Sequence, residues 1–191
     1  KRPAYYGVAM LELAAHILDV AENSIRAGAK IVEIEIDEND AKDLLCVKIN
    51  DNGSGMTKEE MEKIHDPFYT TKKVRRVGLG IPLLNDAAQR AGGKLIIKSE
   101  KGLGTSVEAT FQLSHLDRQP MGNITTTLLA LVAGNSSIDF LYKHRHNDRQ
   151  FIFDTRQIRK EIDDLPINHP EILKYIRGVI SEGLQDIASL A

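Results

Sequence analysis

The 191-residue sequence contains one cysteine, Cys46. A disulfide framework needs cysteine pairs and a cysteine-ligated zinc site needs several, so both are excluded. Cys46 stands in the apolar run Leu44-Leu45-Cys46-Val47, where a thiol serves as a small buried hydrophobe. No run approaches the ~20 apolar residues that a membrane-spanning helix requires. No leader is visible at the start, so a cytoplasmic location is expected. Charge of one sign is not in excess either. The 25 basic and 27 acidic residues leave a formal charge of -2 and a pI near 6.3. The deficit is shared equally by the parts before and after His115, so no basic nucleic-acid module is expected. Two common phosphate-binding signatures are missing. There is no G-x-x-x-x-G-K-[ST], and Gly78-Leu-Gly80 runs into Ile81-Pro82-Leu83 without the third glycine of the dinucleotide fingerprint. With 42% apolar and 27% charged residues, the composition is that of a folded globular chain.

The patterning that remains is regular. Residues 8–27 read as a helix, apolar around most of its circumference. One polar stripe is left: Glu12, His16, Asp19, Asn23 and Arg26, at alternating steps that keep one face. Gly28 closes it. Over 31–37, Val32, Ile34 and Ile36 alternate with Glu33, Glu35 and Asp37, which predicts a half-buried strand. A second strand over 44–50 pairs with it antiparallel. Asp51 to Met56 form a tight loop. Thr57 caps a short helix through Ile64, with Glu60 in the capping-box position. Residues 66–80 read as a polar loop, 81–91 as a helix, and 94–100 with 106–113 as a hairpin around Lys101–Gly104. The composition shifts near Ser114–Pro120, dividing the chain into 1–115 and 116–191. The second part predicts a helix over 121–133, strands over 137–144 and 149–154, and helices over 155–163 and 169–187. It matches no motif, and is expected to dock on the first part, dimerise or hold a partner.

Several residues can carry chemistry. Asp51, just before a Gly-Ser-Gly loop, can accept a hydrogen bond from an exocyclic amine such as adenine's, while Gly53 and Gly55 let the backbone approach a flat ligand. Gly78-Leu-Gly80 ahead of a helix offers free N–H groups to phosphates. The Asn23 amide oxygen can hold a divalent ion. Asp19, one turn earlier, can orient or deprotonate a water or hydroxyl. His16 reads as a polar neighbour of Asp19. His144 and His146 share one strand face, but Asp148 is the nearby carboxylate in sequence and lies in a turn, which argues against a metal pair.

The order Asp19-x-x-x-Asn23, Asp51-x-Gly53-x-Gly55, Asp66-Pro-Phe-Tyr-Thr-Thr-Lys72, Gly78-Leu-Gly80, Gly102-Leu-Gly104-Thr105 resembles the GHKL superfamily of gyrase, heat-shock chaperone, histidine kinase and mismatch-repair ATPases. DPFYTTK, GLGIPLL and GLGTSVEATFQL are most similar to the catalytic ATP-binding domain of histidine kinases. The resemblance covers about residues 5–115. It implies the Bergerat fold: an α/β sandwich (α+β) with a mostly antiparallel sheet, helices on one face, and ATP between helix and lid, here followed by a small α+β appendage. It implies Asn23 as the Mg2+-binding asparagine, Arg26 as a phosphate-reaching base, and Asp51 as the adenine reader. Gly53, Gly55 and Met56 would form that wall, Phe68 and Lys72 the lid. Gly78, Leu79 and Gly80 would lie on the phosphate side, Thr105 near adenine, with Asp19 as the catalytic carboxylate. The sequence departs from the pattern where Asp19 replaces a Glu or Asn, where Arg76 replaces a glycine, and in the short lid segment from Thr71 to Gly78. About seven residues precede the first helix, so a phosphoacceptor hairpin is not expected from this chain. The expected function is a Mg-ATP-dependent, histidine-kinase-like phosphotransferase or ATPase acting on a partner protein in signal transduction. The alternatives are an ATP-driven switch or a regulatory binding module with little catalysis, oligomeric through its C-terminal part.

Overall fold

Alternation of apolar and charged residues builds the sheet. In the computed structural model, which describes residues 12–63, 80–162 and 165–188, β1 (Ile31–Asn39) buries Val32, Ile34 and Ile36 and leaves Glu33, Glu35 and Asp37 half-exposed on its other side. β2 (Leu44–Asp51) buries Leu45, Val47 and Ile49 on the same face, which fixes an antiparallel register with Ile34 opposite Ile49. β3 (Lys94–Glu100) and β4 (Gly104–Gln112) form the expected hairpin. β4 starts two residues earlier than the β-branched run suggests, because Gly104 pairs with Glu100 through a left-handed backbone, φ +106°. β4 pairs with β2, and β5 (Asp139–His146) and β6 (Arg149–Asp154) complete one six-stranded sheet in the order β3-β4-β2-β1-β5-β6. Every pairing is antiparallel except β1 with β5.

Helices cover one face. α1 (Leu13–Arg26) lies over β1 and β2 and buries Leu13, Ile17, Val20 and Ala21. Ala27 caps it and Gly28 follows at φ +78°, the left-handed exit that glycine makes without strain. α2 (Lys58–Lys63) carries the capping box: Glu60 N–H donates to Thr57 Oγ1 at 3.3 Å, and Thr57 N–H to Glu60 Oε2 at 2.9 Å. α3 (Gly80–Arg90) packs on β3, β4 and α1. α4 (Ile124–Gly134), capped by Asn123, lies between α1 and α6 (Pro170–Ala188), which covers β6. α5 (Thr155–Glu161) runs beside β5. No described helix is long and apolar enough to cross a membrane.

The seam between β1 and β5 joins the two parts of the chain. On the open face Lys143 pairs with Glu33 and Arg145 with Asp37. On the helix face His144 Nε2 lies 2.7 Å from Glu38 Oε1, and the Tyr142 hydroxyl 2.8 Å from His144 Nδ1. Phe140 and Tyr142 are fully buried beside Val32 and Ile34, each contributing roughly 2–3 kcal/mol of hydrophobic burial. Helix α6 sits so close to β6 that a Cβ on Gly183 would stand 2.1 Å from the Phe151 ring.

Phe140→Ala is expected to cost about 3–5 kcal/mol. In urea titrations it should shift one cooperative transition to lower denaturant. Two separate transitions in the parent chain would instead mean that β5 and β6 fold as their own unit.

Candidate functional site

A row of side chains crosses the helix-facing side of the sheet at one end. Phe140, Val32, Asp51, Thr105 and Ser99 are successive cross-strand partners from β5 to β3, so they share a face. The row is apolar in β5 and β1 and becomes polar in β2, β4 and β3. Above Asp51, the buried Ser24 of α1 donates its hydroxyl to Asp51 Oδ2 at 2.7 Å, and Gly53 N–H donates to Oδ1 at 2.8 Å. The carboxylate is thus fixed in orientation, with lone pairs left to accept from a ligand.

The loop after Asp51 is clamped on both sides. Ser54 N–H donates to Ala27 O at the end of α1, and Gly102 N–H to Ser54 O from the β3–β4 turn, both at 2.8 Å. Asn52 Oδ1 accepts from the Lys30 and Ile31 N–H groups. Met56 N–H donates to Ser99 Oγ at 2.9 Å. The glycines are required by contact: a Cβ on Gly55 (φ +58°) would lie 1.9 Å from Glu100 O, and one on Gly104 would lie 1.9 Å from Asp51 O. The result is a thin, rigid backbone wall.

The other end of the site belongs to α1 and α3. Asp19 is exposed beside the first residue of α3, where a Cβ on Gly80 would stand 3.0 Å from Asp19 Cβ. The positive end of α3 thus faces the carboxylate. One turn along α1, Asn23 Oδ1 accepts from Arg26 Nη2 at 2.5 Å, and Arg26 also pairs with Glu22 at 3.2 Å. The asparagine oxygen is a hard, neutral donor of the kind that divalent cations take as ligand, and here it accepts from a guanidinium. His16, buried in the same stripe, shares a 2.9 Å hydrogen bond with Gln119 Oε1. Burial holds its pKa below the ordinary 6.5, against the Gln119 bond and the Asp19 charge, which raise it.

The structure therefore gathers Asp51, Gly53, Gly55, Met56 and Thr105 into one wall, and Asp19, Asn23, Arg26 and Gly80 into an adjoining edge. Phe68, Lys72, Gly78 and Leu79 lie outside the described residues. Sequence reasoning missed Ser24, Asn52 and Ser99. Ser24 had a signal: it directly follows Asn23 and falls on the apolar side of the helix, a polar group in a dry place. Ser99 falls, by alternation, on the inward face with Leu95 and Ile97. His144 and His146 do share a face, but their partners are Glu38 and Asp40 of the neighbouring β1 strand and its turn. Among the described residues, no cluster of three or more His, Cys, Asp or Glu side chains is placed to hold a metal. A groove of about 670 Å³ opens at the far end of the strands, lined by Glu38, Met121, Ile124, His144, Leu184 and Ile187.

Residues 11–115 match the family described as histidine kinase-, DNA gyrase B-, and HSP90-like ATPase. The chain is similar to the sensor histidine kinase WalK of Bacillus subtilis, 33% identical over 93 residues, which are 46% of this chain and 15% of that protein. It is also similar to the sensor protein SrrB of Staphylococcus aureus, 30% identical over 102 residues, 51% of this chain and 17% of that protein. The match thus spans about a sixth of those relatives' length. Among solved structures, the N-terminal domain of a DNA repair protein aligns with a TM-score of 0.50 at 16% identity, covering 76% of this chain and 52% of that one, a likeness of fold.

Two outcomes are expected. Gly104→Ala forces a Cβ into the Asp51 carbonyl at a left-handed backbone position and should destabilise the fold by about 2–4 kcal/mol in denaturant titration. His16 imposes a pH dependence. The unfolded chain takes up a proton near pH 6.5 whereas folded His16 resists it, so this stability is complete above 6.5 and declines as pH falls below. His16→Gln should flatten the fall of Tm between about pH 6.5 and 5, above the carboxylate range; an unchanged slope would contradict the assignment.

Proposed function

The chain belongs to the histidine kinase-, DNA gyrase B- and HSP90-like ATPases, and on that footing we propose that it binds Mg-ATP and passes the γ-phosphate to a partner protein. The observation that carries this reading is the double use of α1. Within six residues the helix presents Asp19 beside the start of α3, Asn23 one turn further along, and Ser24 to the Asp51 carboxylate.

In this reading the base of ATP lies against the wall of Gly53, Gly55 and Met56, with its amine on Asp51 and Thr105 close by. The amide oxygen of Asn23 is the protein's ligand for Mg2+, which when bound neutralises phosphate charge. Arg26 is released from Asn23 and reaches a phosphate oxygen. N–H groups in the first turn of α3 donate to the phosphates, with Gly80 allowing close approach. Gly78, Leu79, Phe68 and Lys72 are assigned to the phosphate side and lid by likeness to the family. Asp19 orients and deprotonates the partner's acceptor group.

A second reading has its own support. The first turn of α1 is tied to the C-terminal part: Leu13 N–H donates to Pro120 O and Ala14 N–H to Met121 O, each at 2.9 Å, and His16 meets Gln119. Nucleotide-dependent movement of α1 would pass to residues 116–191, as in a switch with slow hydrolysis.

The fate of γ-labelled ATP separates the readings. Label on a partner or as free phosphate, lost at least about tenfold in Asp51→Ala and Asn23→Ala, supports phosphotransfer or hydrolysis. ATP bound but returned intact supports the switch. ATP not bound at all contradicts both. If the chain is instead a binding module that has lost catalysis through the shortened Asp19, Asp19→Glu, which restores the longer carboxylate, is expected to raise turnover; no change would count against that alternative.

A further inference from the structure

Three hydrogen bonds meet at the Ser99 hydroxyl. Met56 N–H lies 2.9 Å from Ser99 Oγ, Gly104 O lies 3.0 Å away, and Thr105 Oγ1 lies 2.8 Å away. Met56 N–H can only donate and the Gly104 carbonyl can only accept. Ser99 has one proton and two lone pairs. If all three bonds form together, a single arrangement is allowed. Ser99 accepts from Met56, donates to Gly104 O, and accepts from Thr105. The Thr105 proton is thereby held on Ser99, which leaves Thr105 Oγ1 only lone pairs for any other partner beside its cross-strand neighbour Asp51.

Asp51 is constrained in the same sense. Its two oxygens already receive Ser24 O–H and Gly53 N–H, so toward a ligand it too can only accept. The purine-facing edge of the row is therefore made of acceptors. Where these acceptors face the 6-position of the purine, an exocyclic amine satisfies them, whereas a carbonyl oxygen at that position sets acceptor against acceptor, an unpaired contact that costs affinity.

We infer that Ser99 is a specificity-determining positioning residue of the nucleotide site: by holding the Thr105 proton it leaves only acceptors beside Asp51 and selects a 6-amino over a 6-oxo purine. The inference rests on the ATP-binding reading above. Ser99 does not touch the base; it acts through Thr105 and, by its bond to Met56, through the loop wall.

The test is calorimetric titration of the full chain with ATP and with ITP, whose purine carries oxygen at position 6, in the presence of Mg2+. Ser99→Ala frees the Thr105 proton for donation to that oxygen, so the preference for ATP over ITP should fall about tenfold. Ser99→Thr keeps the hydroxyl and should keep the preference. Thr105→Val removes an acceptor while leaving Ser99 its other partners, and should weaken ATP more than ITP; it decides the matter if Ser99→Ala does not fold. A preference unchanged in Ser99→Ala, or a Thr105→Val chain that weakens both nucleotides equally, overturns the inference. Asp51→Asn serves as the control for the underlying reading. Undiminished ATP binding there would mean that the reading itself has failed. Loss of ATP in Asp51→Asn, with no change of preference in Ser99→Ala, would remove the role of Ser99 alone.

Discussion

One carboxylate organises the nucleotide end of this molecule. Asp51 ends β2 on the face where its strand neighbours bury Leu45, Val47 and Ile49, so the fold places a charge at the margin of its own core. Such a group is tolerated only when hydrogen-bonded. Ser24 supplies one donor from α1 and Gly53 the other from the following loop, and both lock the carboxylate in one plane. Because Ser24 directly follows Asn23, the same peptide unit of α1 sets both the base-reading and the phosphate-facing ends of the site. The glycine contacts at Gly55 and Gly104 then bring loop and hairpin to backbone contact around it.

The C-terminal part is bound into this arrangement twice. Through β5 it extends the sheet beside β1, with ion pairs on one face and a Tyr142–His144–Glu38 chain of hydrogen bonds on the other. Through the segment ahead of α4 it supplies the carbonyls that receive the first N–H groups of α1, which a helix cannot satisfy itself. Packing therefore connects residues 116–191 to the helix that carries Asp19 and Asn23. The connection gives the switch reading its physical content: a displacement of α1 alters contacts with Gln119, Pro120 and Met121.

Local structure was legible in the sequence wherever a period was strong. The alternation in β1, the Thr57–Glu60 box and the Gly28 exit each carry their geometry in adjacent residues. What was not legible is long-range. Nothing near residue 140 announces that β5 lies parallel beside β1, because its partners are about a hundred positions away. The same limit hid the partners of His144 and His146, which are carboxylates of the β1 strand and its turn rather than Asp148. In the site, Asp51 and its glycines stood out because a carboxylate ahead of a Gly-Ser-Gly loop can accept from an amine while the backbone approaches a flat ligand. Ser24 and Ser99 did not, since a serine reveals its role only when its partner is known. Family likeness, not periodicity, assigned Thr105 and the lid residues.

Hydrogen exchange with and without Mg-ATP tests the central claim most directly. The account predicts slowed exchange in three separated stretches at once, residues 19–27, 51–57 and 99–106, and loss of that pattern in Asp51→Asn. Protection confined to the far groove around Met121 and Ile187, or none with ATP bound, would contradict it.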